Sequence, residues 1–172
     1  DKAVNKLTTT LFKKYKTPGD FAAAPLPELE KGMSSITFFR NKAKAIKEAC
    51  RVIVEKYHDK VPQDMEALTG LPGIGRKTAN AILQNAFNKV EGIIVDTHVI
   101  RLSQRLGFTK QKNPEKIEKD LMELFPKTEW KRLPWLMKEH GRAICTAPVP
   151  KCRQCVVFKL CPKVGVGRKV YA

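Results

Sequence analysis

The sequence predicts an all-α protein. Three observations carry that expectation. Apolar residues recur every three or four positions in almost every segment, no stretch alternates strictly enough or is β-branched enough to make a strand, and Pro, Gly and capping residues punctuate the chain at helical intervals. At 172 residues the chain can form one large domain or two small lobes and bury a core without disulfide staples.

Val4, Leu7 and Leu11 share one face of a first helix over 3–14, which the Thr17-Pro18-Gly19-Asp20 cluster ends. A shorter helical piece follows Pro27. Over 41–57, Ala43, Ile46, Cys50, Ile53, Val54 and Tyr57 step by three or four while Lys and Glu fill the other face, so Cys50 reads as a buried core thiol. Pro62 to Leu68 starts another helix. Gly70-Leu71-Pro72-Gly73-Ile74-Gly75 then breaks the pattern, and 76–87 resumes it with Ala79, Ile82, Leu83 and Ala86, giving a helix, a tight hairpin and a helix.

Ile93-Ile94-Val95 is a short apolar link. The following helix begins at Asp96 or Thr97, buries Val99, Leu102 and Leu106, and stops at Gly107. Asn113-Pro114 supplies an N-cap and a first-turn proline for a helix with Ile117, Leu121 and Leu124, and another helix runs from Pro134 to the first clustered cysteine. The tail, rich in Cys, Pro, Gly and Lys, reads as a loop wrapped on a metal.

Thirty-three Lys and Arg against 17 acidic residues give a formal charge of +16, far beyond what solubility requires, and point to a polyanionic partner. The alternative is a highly charged, solvated surface. No apolar run approaches the roughly 20 residues that cross a bilayer, and no signal-like segment opens the chain, so the expectation is a soluble protein with no membrane partner.

Cys145, Cys152, Cys155 and Cys161 fall within seventeen residues, which suits a metal site in a reducing, intracellular setting better than disulfides. Four thiolates serve either tetrahedral zinc or a [4Fe-4S] cluster. Zinc usually draws on two close pairs, whereas here one close pair is flanked by single cysteines, and that spacing favours iron–sulfur. Lys151, Arg153 and Lys159 lie inside the loop, so the centre can serve to present cations to phosphate.

Leu71, Gly73, Ile74 and Gly75 form a turn whose glycines can take positive φ and bare their amides immediately before a helix N-terminus. Such a turn can dock a backbone phosphate without reading sequence, directly or through a bridging monovalent cation; a plain helix–helix turn is the alternative. Lys77 follows in the first turn of the next helix, where the helix dipole and Arg76 both oppose a further positive charge, which would make it a better nucleophile than a solvated lysine. Asp96, nineteen residues on, sits at the next helix start, within reach of Lys77 if the two helices pack side by side, and otherwise is an ordinary N-cap. His98 could touch phosphate or be a satisfied structural histidine.

Leu71-Pro-Gly-Ile-Gly-Arg-Lys-Thr-Ala-Asn80, Val95-Asp-Thr-His98, and His140-Gly-Arg142 leading into the four cysteines together resemble the endonuclease III family of helix-hairpin-helix DNA glycosylases, in the expected order and over almost the whole chain. The resemblance implies a two-lobed α fold: an N-terminal helix over 1–16, a helical-barrel lobe with the helix-hairpin-helix over 17–110, and a C-terminal lobe with a [4Fe-4S] cluster loop over 111–172. It implies a monomeric enzyme acting with the DNA of the cell on double-stranded DNA that carries damaged bases or abasic sites, with the target base turned out of the duplex. Lys77 would attack the sugar C1′, displace an oxidised pyrimidine and cut the strand by β-elimination, with Asp96 as partner carboxylate. Leu71, Gly73, Ile74, Gly75, Arg76, Phe38 and His98 would contact DNA, and Cys145, Cys152, Cys155 and Cys161 would hold the cluster.

Two departures stand out. The chain opens with Asp1 and its first helix resembles an internal helix of the family, so the expectation is that the preceding family helix, with its duplex-probing glutamine, is trimmed away or built separately. At Ile36-Thr37-Phe38-Phe39-Arg40, Thr37 stands where the family has glycine before its wedge residue, so Phe38 or Ile36 would be the wedge and Phe38 could instead pack in the core. Two other functions compete: a noncatalytic iron–sulfur DNA-binding module, and a monofunctional mismatch glycosylase.

Overall fold

The computed structural model describes residues 2–170, and among them all regular structure is helical. The helices are α1 (Lys2–Lys14), α2 (Pro18–Ala23), α3 (Leu26–Met33), α4 (Phe39–Tyr57), α5 (Met65–Thr69), α6 (Arg76–Ala86), α7 (Thr97–Arg105), α8 (Pro114–Leu124) and α9 (Leu133–Ala143), with short 3-10 turns at Lys127–Glu129, Cys152–Gln154 and Arg168–Val170. No helix among the described residues is long and apolar enough to cross a membrane. The chain divides into two compact units, Asp1–Gly75 and Arg76–Ala172.

In the first unit α2 and α3 pack on the long α4. Leu11, Tyr15, Phe21, Ala24, Leu29, Met33 and Ala43 form the core, with Ile36, Phe39, Ile46 and Cys50 against it. Cys50 is only half-buried, and that burial pushes its thiol above the usual range. The Thr17 cluster does more than end α1. The Thr17 side chain accepts from the Asp20 amide at 3.1 Å while the Asp20 carboxylate accepts from the Thr17 amide at 2.9 Å and from that of Lys16 at 2.7 Å, a reciprocal cap that starts α2 with Pro18 in its first turn. Those amides, Lys16 first, hold the Asp20 carboxyl below its ordinary value. Lys47 of α4 donates to the Ala22 and Ala24 carbonyls at 2.5 and 2.7 Å and so closes the other end of α2.

Two first-unit helices start elsewhere than expected. Helix α4 begins at Phe39, because Phe38 takes a left-handed backbone (φ 56°) at the N-cap. Helix α5 begins at Met65, because Asp64 accepts from the Ala67 amide at 2.8 Å and defines the start.

The second unit is built on Ile93, Val95, Val99, Leu102, Ile117, Leu121, Leu133 and Met137, so the apolar link and α7, α8 and α9 share one core. Asn113 accepts from the Glu115 and Lys116 amides and starts α8, as its sequence predicts. Its inner face differs from the expected one: Leu124 is exposed and Glu118 is buried beside Ile117 and Leu121. On α6 the buried positions are Ala79, Asn80, Leu83 and Gln84, while Ala86 is exposed. Polar side chains hold places that periodicity assigned to apolar ones because they find partners inside. Gln84 donates to the Gly92 carbonyl at 2.7 Å, and Asn80 donates to Glu118 at 2.8 Å.

Candidate functional site

The glycine turn closes the first unit. Leu71 is buried and accepts from the Ile74 amide at 3.1 Å. Of the glycines here only Gly73 has positive φ, at 75°, and a Cβ on it would stand 2.7 Å from that of Ala45, so conformation and close approach to α4 both demand glycine. Gly70 is instead a right-handed C-cap of α5. Gly75 is exposed and its added Cβ would meet nothing, which leaves its backbone open to a ligand. Phe38, also in this unit, is 77% exposed and so is not a core residue, whereas Ile36 packs against the core.

Arg76 opens α6 and the second unit. The first-turn amides of a helix lack intrahelical partners, so this N-terminus offers N–H groups directly after the exposed Gly75. Lys77 is exposed on that turn. Asp96 is the half-buried N-cap of α7, and its Oδ1 accepts from the His98 and Val99 amides at 2.8 and 2.9 Å. Both bonds fall on one oxygen, so the cap occupies only one side of the carboxylate.

His98 is half-buried, with Nδ1 3.1 Å from Nη2 of Arg101. Arginine only donates, so in this contact Nδ1 stands as the acceptor. A Cβ on Gly141 would come within 2.7 Å of His98 Nδ1 and 3.0 Å of Arg101 Nη2. Glycine is what lets α9 lie this close to α7.

Cys145, Cys152, Cys155 and Cys161, all half-buried and unpaired, line one cavity together with Leu102, Arg105, Ile144 and Phe158. Burial first, then the neighbouring Cys145, Cys161 and Cys155, push the Cys152 thiol upward. Donors reach two of the four sulfurs, Arg105 Nη1 at 3.4 Å from Cys145 Sγ and the Lys163 amide at 3.4 Å from Cys161 Sγ, and His140 Nε2 lies 3.5 Å from Cys155 Sγ. Lys151, Arg153 and Lys159 are exposed on this loop. Among the described residues no three His, Cys, Asp or Glu side chains form a group that could hold a metal ion.

Two arginines that no sequence motif singles out organise this loop. Arg101 donates to the carbonyls of Gly141 and Cys145, each at 3.1 Å, and Arg105 to those of Thr146 at 2.8 Å and Pro148 at 3.2 Å. Their signal was a pair of arginines four apart on the helix that Asp96 caps. A second group missed from sequence is Glu118, whose carboxylate accepts from Arg76 Nε at 2.6 Å, Arg76 Nη2 at 3.2 Å and Asn80 Nδ2 at 2.8 Å. Glu118 holds the Arg76 guanidinium above its ordinary value. Its acidic letter on an amphipathic helix gave no sign of burial.

Residues 1–127 match the HhH-GPD family, the HhH-GPD superfamily of base excision DNA repair proteins. The chain is 49% identical to endonuclease III of Synechocystis sp. over 94% of its own length and 74% of that protein, and 44% identical to endonuclease III of Bacillus subtilis over the same shares. It superposes with a TM-score of 0.89 and 45% identity on the solved structure of a trapped endonuclease III–DNA covalent intermediate, an estranged-adenine complex, covering 95% of this chain and 76% of that one.

Proposed function

The chain belongs to the HhH-GPD superfamily of base excision DNA repair proteins, and from that premise we propose that it is a bifunctional DNA glycosylase and abasic-site lyase whose nucleophile is Lys77. Its class, a base-excision DNA glycosylase that acts on DNA, follows from the family and from relatives named endonuclease III. The observation that carries the finer reading is the placement of Lys77: an exposed amine in the first turn of α6, one residue after the Arg76 that Glu118 anchors, in the same unit as the Asp96 carboxylate.

In this reading the Gly73–Gly75 turn and the amides at the start of α6 receive a backbone phosphate, directly or through a monovalent cation, and fix the strand without reading sequence. Leu71 and Ile74 shape the turn and His98 offers a ring nitrogen to the strand; in the first unit the exposed Phe38 is the aromatic side chain available to wedge into a base stack. The Lys77 amine attacks C1′; the glycosidic C–N bond breaks, and an oxidised pyrimidine departs with the bonding pair and takes up a proton. Loss of the amine proton and opening of the sugar give the Schiff base. Removal of a C2′ proton then expels the 3′ phosphate, and water releases the lysine. Asp96 faces the positive charge that develops at the sugar and takes part in the proton transfers.

The four clustered cysteines fit a [4Fe-4S] cluster: they are half-buried, they line one cavity, and N–H donors reach two of the sulfurs. When bound, such a cluster supplies a structural centre, and the chain's own Lys151, Arg153 and Lys159 on the loop around it face DNA phosphate. The purified protein is expected to carry iron with a visible absorption band, and Cys155→Ser to lose both; zinc in place of iron would overturn this assignment.

The function is tested on duplexes carrying thymine glycol or an abasic site. Strand cleavage without alkali and a covalent adduct under borohydride are expected. Cleavage only after alkali would assign the chain to the monofunctional mismatch type, and no base release at all would leave a DNA-binding module.

A further inference from the structure

We infer that Glu118 is a positioning residue for Lys77: it clamps the first turn of α6 onto α8 and so sets where the reacting amine stands. The inference rests on the reading of Lys77 as the nucleophile.

Glu118 is 4% exposed and lies on the core face of α8 beside Ile117 and Leu121, where an apolar side chain would pack without cost of desolvation. Its carboxylate accepts three hydrogen bonds from one helix: two from the Arg76 guanidinium and one from the Asn80 amide. Arg76 and Asn80 are four residues apart and therefore lie one above the other on α6. Held at both points, the turn between them can neither rotate nor slide against α8. Lys77 is the next residue after Arg76, about 100° around the helix, and it points to solvent.

The surroundings are shaped for this carboxylate. A Cβ on Gly92 would collide with Glu118 Oε1 and fall 2.9 Å from Asn80 Nδ2, so the backbone of the loop before α7 closes over the pair only because that residue has no side chain. A buried ion pair is seldom a net source of stability relative to an apolar replacement. What it provides is a defined orientation, through the fork geometry of arginine on carboxylate. The clamp grips the helix on either side of the proposed nucleophile, at the position where orientation counts.

The test separates rate from folding. In single-turnover borohydride trapping on an abasic-site duplex, the amplitude reports the fraction of folded enzyme and the rate constant reports how the amine meets C1′. Glu118→Gln is expected to lower the rate constant at saturating duplex about 10²-fold, with duplex affinity within about threefold of wild type, the scale set by a misplacement near 1 Å. Asn80→Ala removes one of the three donors and creates only a small void; it is expected to lower the rate about tenfold. A purely structural role predicts reduced amplitude at the wild-type rate, and that result would overturn the proposal. If Glu118→Gln does not fold, the rate of Asn80→Ala decides: wild-type rate there also overturns it. Absence of any adduct with the unaltered protein would instead strike the assignment of Lys77, and the clamp would lose its object.

Discussion

Lys77→Ala is expected to abolish the borohydride-trapped adduct while leaving the protein folded and bound to DNA. The substitution removes the only group that the proposed chemistry allows to bond to C1′, so the loss is of the covalent intermediate itself. Lys77 is exposed, and exposed substitutions of this kind usually stay within about 0.5 kcal/mol of the parent in stability. Loss of one cation near a phosphate should reduce the slope of log affinity against log salt by about one. The measurements are adduct yield on a denaturing gel, duplex binding at two or more salt concentrations, and a melting curve. A mutant adduct of undiminished yield would remove Lys77 from the mechanism.

Asp96→Asn should slow single-turnover base release by about 10²- to 10⁴-fold, the range in which a positioned acid or base contributes. The choice of asparagine matters. The Asp96 side chain also starts α7 by accepting from the His98 and Val99 amides, and asparagine caps a helix about as well as aspartate. The amide therefore keeps the cap and removes only the charge. Asp96→Ala removes both, and should add a loss of stability of about 1 kcal/mol. If the asparagine variant releases base at the parental rate with an unchanged melting temperature, Asp96 is a cap and nothing more.

The two experiments also separate the candidate functions. A monofunctional glycosylase would depend on Asp96 and be indifferent to Lys77, since water would take the place of the amine. A DNA-binding module would respond to neither substitution beyond the salt slope.

Much of the helical frame was legible because local chemistry set it. Asn113-Pro114 starts α8 in the structure because a side-chain oxygen and a proline at the first turn need only their own neighbours. Asp96 caps α7 for the same reason. Helix α2 is not predicted although its signal is equally local: Thr17 and Asp20 form a reciprocal cap with aspartate in the place where glutamate is the usual guide. Phe38 was ambiguous in sequence because an aromatic residue next to a helix start can face either way, and its left-handed backbone turns it outward.

By itself the sequence determined the helical periods, the caps, the place of the glycine turn and the four-cysteine spacing, all of which depend on residues within a few positions of one another. Tertiary structure alone decided which polar side chains go inside. Asn80, Gln84 and Glu118 occupy core-facing positions because hydrogen-bond partners distant in the chain, or the backbone of the loop before α7, await them there. It likewise decided that Arg101 and Arg105 reach across to the cysteine loop. The physical reason is the same in each case: burying a polar group costs several kcal/mol unless it is paired, and the identity of the partner is a property of packing that no local pattern records.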